Sequence, residues 1–278
     1  MNKRSEVRKG VIVAAGLGTR FLPITKSIPK EMLPVGSKPV LQYIVEEMAD
    51  SGIKEITIVI SRGKESIKEY FKRDLALEKH LKKVGKYDKI KDLVELLKKV
   101  KFSYVYQEKP LGNGHALLCA KIKIGNQPFV FSDADSIIDA KVPATKQILK
   151  VYKKYNTPVI GVQKISDKKA MISYGNVYAS KTKDSKVFKV EKFVEKPSLN
   201  KVSPHGLIVG GMRYVFTKEI WKLLEQQGRG KGGEIWVADA ANEMLKQQDF
   251  YAYEYEGKYL DTGDGEKLLD TVNYFFKK

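Results

Sequence analysis

The opening of the chain combines a short apolar run with a glycine-containing loop that carries two basic residues. Residues 11–15 read Val-Ile-Val-Ala-Ala, Gly16 and Gly18 follow, and Arg20 and Lys30 come later in the same segment. An apolar run that ends in small residues is typical of a buried parallel strand, and glycines let backbone N–H groups approach a ligand closely. Basic side chains beside such N–H groups suit the phosphates of a nucleotide. The segment therefore predicts a nucleotide-binding loop after a first parallel strand.

Two commoner nucleotide loops do not match this segment. The pair Gly16 and Gly18 is followed by Thr-Arg-Phe, so the third glycine of the dinucleotide-binding pattern is absent. No Gly-x4-Gly-Lys-[Ser/Thr] run occurs in the chain, which excludes a P-loop. Because glycines after strands also serve as ordinary turn residues, a tight strand-to-helix turn without a ligand stays open as the alternative.

Apolar patterns along the chain alternate between strand and helix. This alternation predicts an α/β fold that is Rossmann-like and doubly wound, with a mainly parallel sheet and helices on both faces. Strands are expected at residues 11–15, 55–60, 102–107, 128–132, 158–163, 176–179, 189–194, 207–216 and 250–255. Helices are expected at residues 40–51, 65–71, 74–99 with a break at Gly85, a segment ending at 120, 218–226, 237–247 and 265–275. The strand at 128–132 delivers Asp133 and Asp135 to its C-terminal end, where the ligand crevice of an open α/β sheet lies.

The chain has a formal net charge of +18, which by itself is compatible with nucleic-acid binding. Its lysines are instead spread in pairs along amphipathic helices, at residues 82–83, 98–99, 153–154, 168–169 and 277–278. We therefore predict a solvated lysine-rich surface and expect neither nucleic acid nor a membrane as partner. A nucleic-acid binder, the open alternative, would show steeply salt-dependent binding to any duplex. No apolar run is long enough to span a bilayer.

Cysteine usage indicates the compartment. Cys119 is the single cysteine, so an internal disulfide is excluded and a reducing cytoplasm is expected. It lies in the apolar stretch 116–120 and is expected to be a small core residue, not a nucleophile.

Several short motifs occur in order over nearly the whole chain. They are residues 14–23 (AAGLGTRFLP), 29–34 (PKEMLP), 38–39, 107–116, 135, 174–175, 194–197, 233–240 and 259–263. Together they resemble the signature of the sugar-1-phosphate nucleotidylyltransferases. The triplet Lys30-Glu31-Met32 and the charged helical insert at residues 71–101 favour the uridylyl-transferring branch of this family.

The resemblance implies an enzyme that transfers a nucleotidyl group from UTP to glucose 1-phosphate with Mg²⁺ and releases pyrophosphate. It implies one domain over residues 1–278, with a nucleotide-binding core mainly at 8–140 and a smaller sugar-binding lobe mainly at 155–278. It also implies a homodimer or homotetramer. Mg²⁺ is expected because it uses oxygen ligands and few protein carboxylates, which suits two separate aspartates.

The matching motif positions also imply site residues. The expected metal ligands are Asp135 and Asp261, and the expected catalytic cations are Arg20, Lys30 and Lys196. The nucleotide is expected to contact Ala14, Ala15, Gly16, Gly18, Glu31, Gln107 and Gly112, with Gln107 at the edge of the uracil. The sugar phosphate is expected to contact Gly175, Glu195, Lys196 and Gly211. Asp133 either adds a metal ligand or caps the end of its strand, and His115 is expected to be structural.

Two departures from the family pattern affect the sugar side. Met212 stands where the family has a glycine, and Trp236 stands where it has a glutamine. An enzyme that uses dTTP, CTP or another sugar 1-phosphate therefore stays open as an alternative. A non-catalytic nucleotide-sugar-binding subunit is the other alternative, although such a protein would be expected to lose the lysine or aspartate positions that are present here.

Overall fold

The computed structural model describes residues 6–278 apart from the side chain of Lys231, so residues 1–5 of the expected domain lie outside it. Strands β1–β14 span, in chain order, Lys9–Ala14, Pro34–Val35, Lys38–Pro39, Glu55–Ile60, Lys101–Tyr106, Phe129–Asp133, Ser136–Asp139, Val159–Lys164, Asn176–Lys181, Val187–Val194, Leu207–Ile208, Tyr214–Phe216, Tyr251–Glu254 and Lys258–Asp261. Helices α1–α11 span Val40–Asp50, Glu65–Tyr70, Leu75–Lys83, Lys91–Lys99, Asn113–Cys119, Lys121–Ile124, Ala144–Tyr155, Lys168–Met171, Glu219–Gln226, Val237–Leu245 and Gly265–Phe276.

The first half of the chain forms a parallel array in the order β6-β1-β4-β5. Val11 and Ile12 of β1 are completely buried, because helices cover both faces of the sheet. A strand that is covered on both faces is apolar at successive positions, which is the pattern visible in the sequence. The loops that follow β1 and β6 leave the same edge of the sheet. The predicted doubly wound arrangement is confirmed here.

The second half of the sheet is mixed. β12 lies between β6 and β8 and pairs antiparallel with both, so it joins the two halves into one ten-stranded sheet. Beyond it, β13 is parallel to β8, whereas β9, β10 and β11 pair antiparallel. The sequence patterns predict strands here but not their antiparallel directions, because the same alternation is compatible with either direction.

The prediction of one strand over residues 207–216 is wrong. The segment forms two short strands, β11 and β12, separated by a break at Gly210–Met212. Gly211 has a φ of 75° and Met212 a φ of 36°, and this left-handed backbone cannot continue a strand. The break turns Gly211 and Met212 toward the site described below.

Several elements were not predicted, among them one helix and two strands that shape the site region. Helix α7 covers one face of the sheet, with Ile148 and Val151 in the core, but its lysines obscure the apolar face in the sequence. Strands β7 and β14 form a small antiparallel sheet of their own, in which Ser136 lies opposite Asp261. This small sheet brings two distant segments of the chain to one place.

Helices pack on both faces of the large sheet, as predicted. One core cluster lies beneath α5, α9 and α10, where the Trp221 ring stacks on Phe129 with centroids 4.8 Å apart. The other lies beneath α1, α7 and α11. In the predicted charged insert, Gly85 separates α3 from the segment leading to α4 and has a φ of 68°, which glycine adopts readily. No helix within residues 6–278 has the length and apolarity needed to cross a membrane.

Candidate active site

The loop after β1 folds back over the edge of the sheet. The Thr25 hydroxyl donates to the carbonyl of Gly18 at 2.8 Å, and Gly18 has a φ of 66°, a conformation that favours glycine. The loop also contacts the C-terminal part of the chain. Nη1 of Arg20 donates a hydrogen bond to the carbonyl of Gly263 at 3.2 Å. The predicted nucleotide loop is therefore held against the segment that follows β14.

Asp135 and Asp261 are brought together by the small sheet of β7 and β14. The backbone N–H and the hydroxyl of Thr262 both donate to the carbonyl of Asp135, at 3.0 and 2.8 Å. A Cβ placed on Gly263 would lie 2.9 Å from Oδ1 of Asp261, 3.2 Å from Nη1 of Arg20 and 3.7 Å from Oδ2 of Asp135. The two carboxylates and the guanidinium thus surround one small residue.

Two lysines neutralise these carboxylates. Lys30 Nζ forms an ion pair with Oδ2 of Asp135, and Lys267 Nζ lies 2.7 Å from Oδ2 of Asp261. Burial alone would lower the pKa of Lys30, but the charges of Asp135 and Glu31 outweigh it and raise the pKa. Lys30 is therefore a permanently charged group that can be shared between a carboxylate and a phosphate.

This donor set fits a divalent cation that takes part of its coordination from substrate. No group of three or more His, Cys, Asp or Glu residues within the described part of the chain is arranged as a protein cage for a metal. Mg²⁺ is ordinarily held by one or two carboxylates together with phosphate oxygens and water. Asp135 and Asp261, which both line one cavity, supply such a pair.

The carboxylate of Asp133 is less available to a metal ion than those of Asp135 and Asp261. Its Oδ2 accepts a 2.6 Å hydrogen bond from the Ser136 hydroxyl, and Arg213 Nη1 lies 3.4 Å from its Oδ1. Burial and the nearby charge of Asp135 raise the pKa of Asp133 to about 7. Both oxygens are engaged by protein donors, which favours the strand-end interpretation over the ligand interpretation.

Arg213 is completely buried and connects this region to α1. Its Nη2 lies 2.7 Å from Oε2 of Glu47, and Nη1 donates to the Ser132 hydroxyl at 2.7 Å. Glu47 Oε1 also accepts from the backbone N–H and hydroxyl of Thr145 at the start of α7. This network fixes the strand that carries Asp133 relative to two helices.

Two adjoining cavities open on either side of these charges. The first, of about 340 Å³, is lined among others by Tyr174, Gly175, Glu195, Lys196, Gly211 and Lys267. The second, of about 440 Å³, is lined among others by Ala15, Gly16, Lys30, Glu31, Gln107 and Gly112. Both are lined by Asn113, Asp133, Asp135, Met212 and Trp236. Asp135 and its neighbours therefore stand at the junction of two pockets, as a group-transfer reaction between two substrates requires.

The first cavity contains the residues expected on the sugar side. A Cβ on Gly175 would lie 2.9 Å from Oε2 of Glu195, so only glycine leaves this carboxylate its position. Lys196 has a φ of 43°, which is rare for a residue with a side chain and is typical of strained functional positions. Pro197 follows it, and Lys196 lines the cavity.

The second cavity contains most residues expected on the nucleotide side. Gly112 has a φ of 92°, and a Cβ there would lie 2.6 Å from the carbonyl of Ile235, so no larger residue fits. Gln107 is 6% exposed and donates through Nε2 to the carbonyl of Gly112 at 3.0 Å. His115, at the start of α5, has its Nδ1 3.0 Å from the same nitrogen.

Three expected nucleotide residues are placed differently. Ala14 and Gly18 are not among the lining residues of either cavity, and Ala14 is completely buried. Glu31 lines the second cavity, but its carboxylate is engaged by Lys64, whose Nζ also donates to the carbonyl of Ala14. In this arrangement Ala14 and Glu31 support the loop.

Sequence reasoning missed Lys64, Lys267 and the partners of Arg213. Lys64 and Lys267 each lie at or near the start of a helix in a lysine-rich chain, so nothing in the local pattern separates them from surface lysines. The Met212-Arg213-Tyr214 triplet was visible as a departure from a family motif, but the pairing of Arg213 with Glu47 joins residues that only the fold brings together.

Comparisons with known proteins show which family this chain resembles. The nucleotidyl transferase family profile matches residues 9–277. The chain is 42% identical to the UTP–glucose-1-phosphate uridylyltransferase YngB of Bacillus subtilis (strain 168) over 261 residues, which cover 94% of this chain and 86% of that protein. The similarity therefore extends over both cavities.

Two solved structures superpose on this chain over nearly its whole length. A UDP-glucose pyrophosphorylase in complex with UDP-glucose superposes with a TM-score of 0.89 at 34% identity, covering 98% of this chain and 99% of that chain. A UTP-bound UGPase from Acinetobacter baumannii superposes with a TM-score of 0.87 at 32% identity, covering 97% and 93%.

Proposed function

This chain belongs to the nucleotidyl transferase family, and from that membership we propose that it transfers the uridylyl group of UTP to glucose 1-phosphate, giving UDP-glucose and pyrophosphate. The observation that carries the proposal is the placement of Asp135 at the junction of two cavities, with Lys30 on one side and Lys196 on the other. The names of the similar proteins agree on UTP and UDP-glucose as ligands.

The reaction joins two polyanions, so most of the work is positioning and charge neutralisation. A phosphate oxygen of glucose 1-phosphate attacks the α-phosphorus of UTP. A new P–O bond forms, the bond from the α-phosphorus to the oxygen bridging to the β-phosphate breaks, and pyrophosphate leaves. The reacting oxygens come from the substrates, and no covalent intermediate with the protein is required.

Basic side chains of this protein neutralise the phosphate charges of the two substrates. Lys196 holds the sugar phosphate and the α-phosphate. Lys30 holds the triphosphate tail from the second cavity, and Arg20 reaches the tail from the first cavity, which it lines together with Asp135 and Asp261. Preorganised cations aimed at developing negative charge lower the barrier without rearranging during the reaction. Asp135 and Asp261 are the residues that would hold Mg²⁺, which would supply further neutralisation of phosphate charge. Lys30, which pairs with Asp135, lies where it can also neutralise a phosphate bound in the second cavity.

The nucleotide lies in the second cavity and the sugar in the first. Ala15, Gly16, Gln107 and Gly112 contact the nucleoside, and Gly175, Glu195 and Gly211 contact glucose. This assigns the nucleotide mainly to residues 8–140 and the sugar mainly to residues 155–278. The enzyme acts as a cytoplasmic homodimer or homotetramer, and analytical ultracentrifugation tests the oligomeric state.

Pyrophosphate release from purified protein tests the reaction. The assay contains Mg²⁺ and glucose 1-phosphate with UTP, dTTP, CTP, ATP or GTP in parallel. Release with UTP well above the other four is expected. Release only with dTTP or CTP would keep the mechanism and overturn the assignment of the base. Absence of release with all five would contradict glucose 1-phosphate as substrate. Other sugar phosphates would then be assayed, because Met212 and Trp236, which depart from the family pattern, line the first cavity as well as the second.

A further inference from the structure

The side-chain amide of Gln107 is held by two neighbours on its nitrogen side. Nε2 lies 3.0 Å from the carbonyl oxygen of Gly112 and 3.0 Å from Nδ1 of His115. Gln107 follows directly after β5, is almost fully buried and lines the second cavity. Within the described residues, no hydrogen-bond donor reaches its carbonyl oxygen Oε1.

These contacts determine which side-chain atoms of Gln107 and His115 carry hydrogens. A backbone carbonyl only accepts, so the amide atom facing Gly112 must be the NH₂ group. An NH₂ group has no acceptor lone pair, so Nδ1 of His115 must be the acceptor in the second contact. His115 is therefore neutral, with its proton on Nε2. Burial lowers the pKa of His115, which agrees with a neutral ring.

We propose that His115 is a positioning residue that, together with the Gly112 carbonyl, takes both amide hydrogens of Gln107 and so makes the site accept uracil and reject cytosine. The proposal rests on the proposed function, in which Gln107 meets the base. With both hydrogens engaged, Gln107 offers the base only an acceptor, Oε1. It would otherwise offer a donor or an acceptor by rotation of the amide.

An acceptor at this position distinguishes the pyrimidines by chemistry. Uracil carries a hydrogen on N3 and donates it to Oε1. Cytosine has a lone pair on N3, so two acceptors would face each other and both would lose a hydrogen bond on binding. Thymine carries the same N3–H as uracil, so His115 makes no difference between these two bases.

The surrounding backbone leaves little freedom for another arrangement. Gly112 is fixed because any side chain there would meet the carbonyl of Ile235, and the N–H of Gly114 donates to that same carbonyl at 2.9 Å. The thiol of Cys119, one turn along α5, is 3.9 Å from Nδ1 of His115 and is only a weak donor. The amide of Gln107 thus has one arrangement that satisfies all its neighbours.

Two substitutions at His115 test the proposal through kcat/KM for UTP, CTP and dTTP. His115→Asn places a side-chain oxygen near the position of Nδ1 and keeps the acceptor, so we expect the wild-type UTP/CTP ratio. His115→Leu removes the acceptor, and we expect the UTP/CTP ratio to fall by about tenfold or more, the scale of one hydrogen bond in base discrimination. The ratio of kcat/KM for UTP to that for dTTP should stay unchanged in both His115 variants. His80→Leu, an exposed histidine on α3, is the matched control and leaves all ratios unchanged.

An equal loss for all three nucleotides in His115→Leu would overturn the proposal, since it would show a purely structural effect. If that variant does not fold, His115→Phe keeps a ring and carries the same expectation. The ¹⁵N chemical shifts of His115 in the wild-type protein give an independent test. A proton on Nε2 supports the proposal and a proton on Nδ1 contradicts it. Wild-type protein inactive with all three nucleotides would refute the proposed function, while the tautomer would still decide the arrangement of Gln107.

Discussion

Lys64 and Glu31 form a buried ion pair beneath the loop that follows β1, with Nζ of Lys64 2.8 Å from both carboxylate oxygens. The side chain of Lys64 is 9% exposed and that of Glu31 is 1% exposed. Burial raises the pKa of Glu31 and lowers the pKa of Lys64, so each group depends on the other to remain charged. Since Lys64 also binds the carbonyl of Ala14, the pair joins the beginning of the loop to the segment that carries Lys30.

We expect Lys64→Met to lower the free energy of unfolding by about 3–5 kcal/mol, because it leaves a buried carboxylate without its partner. Urea denaturation measures the loss. The double variant with Glu31→Gln should lose less, because no charge is then left buried. Lys72→Met, which removes an exposed ion pair with Glu69, is the control and should change stability by less than about 1 kcal/mol. A similar loss in both lysine variants would contradict the argument.

Arg213→Met is expected to destabilise the protein by about 3–5 kcal/mol, since the completely buried guanidinium is the partner of Glu47 and a donor to Ser132. Thermal or urea unfolding measures this. The exposed pair of Lys189 with Asp249 offers a matched control, and Lys189→Met should have a small effect. An Arg213 variant as stable as the wild type would show that Glu47 finds other partners.

Lys196→Ala is expected to reduce kcat by about 10²–10³-fold, the scale of removing one preorganised charge from a transition state. Folding should be unchanged and UTP binding should change much less than kcat, because Lys196 lines the first cavity and not the second and would meet UTP only at its α-phosphate. Steady-state kinetics and UTP titration separate the two effects. Lys192→Ala, an exposed lysine of β10, is the control. Turnover like that of the wild type would remove Lys196 from the mechanism.

Asp135→Asn should abolish Mg²⁺-dependent turnover, because it removes one of the two charges proposed to hold the cation. The measurement is a Mg²⁺ titration of pyrophosphate release. Asp133→Asn should shift that titration less, since Ser136 and Arg213 already engage its carboxylate. An unchanged titration in Asp135→Asn, together with a lost response in Asp133→Asn, would move the metal to Asp133.

The contacts of Asp139 predict that the folded protein loses stability in acid. Burial alone would raise its pKa, but hydrogen bonds from Lys278 and Tyr274 outweigh burial and hold the pKa below its ordinary value of 3.8. The stabilisation is therefore present above that ordinary value and is lost as pH falls through the lower, folded-state value. Lys278→Met should have a lower urea midpoint than the wild type near neutral pH, and the two should converge once Asp139 is protonated. Lys277→Met should follow the wild type at every pH.

Patterns carried by neighbouring residues were sufficient for much of the fold. The strand at Glu55–Ile60 has its predicted bounds, and β1 is one residue shorter at its C-terminal end and begins two residues earlier than expected. Both are continuous apolar runs, and such runs bury themselves in a covered parallel sheet whatever lies elsewhere in the chain. The loop after β1 and the motif positions at Asp135, Glu195 and Asp261 were likewise readable along the sequence, since motif spacing is a property of the chain itself.

The tertiary structure alone decided how distant residues meet. Strands β7 and β14 are four residues each, too short to show a pattern, yet their pairing brings Asp135 beside Asp261. The partners Lys64 for Glu31 and Glu47 for Arg213 follow from the order of strands in the sheet and the helices packed on it. A sequence records residue types and local periodicity, whereas ion pairs and hydrogen bonds between remote segments depend on which strands become neighbours. The residue types at the site were therefore readable from the sequence, and their charges and contacts were determined by packing.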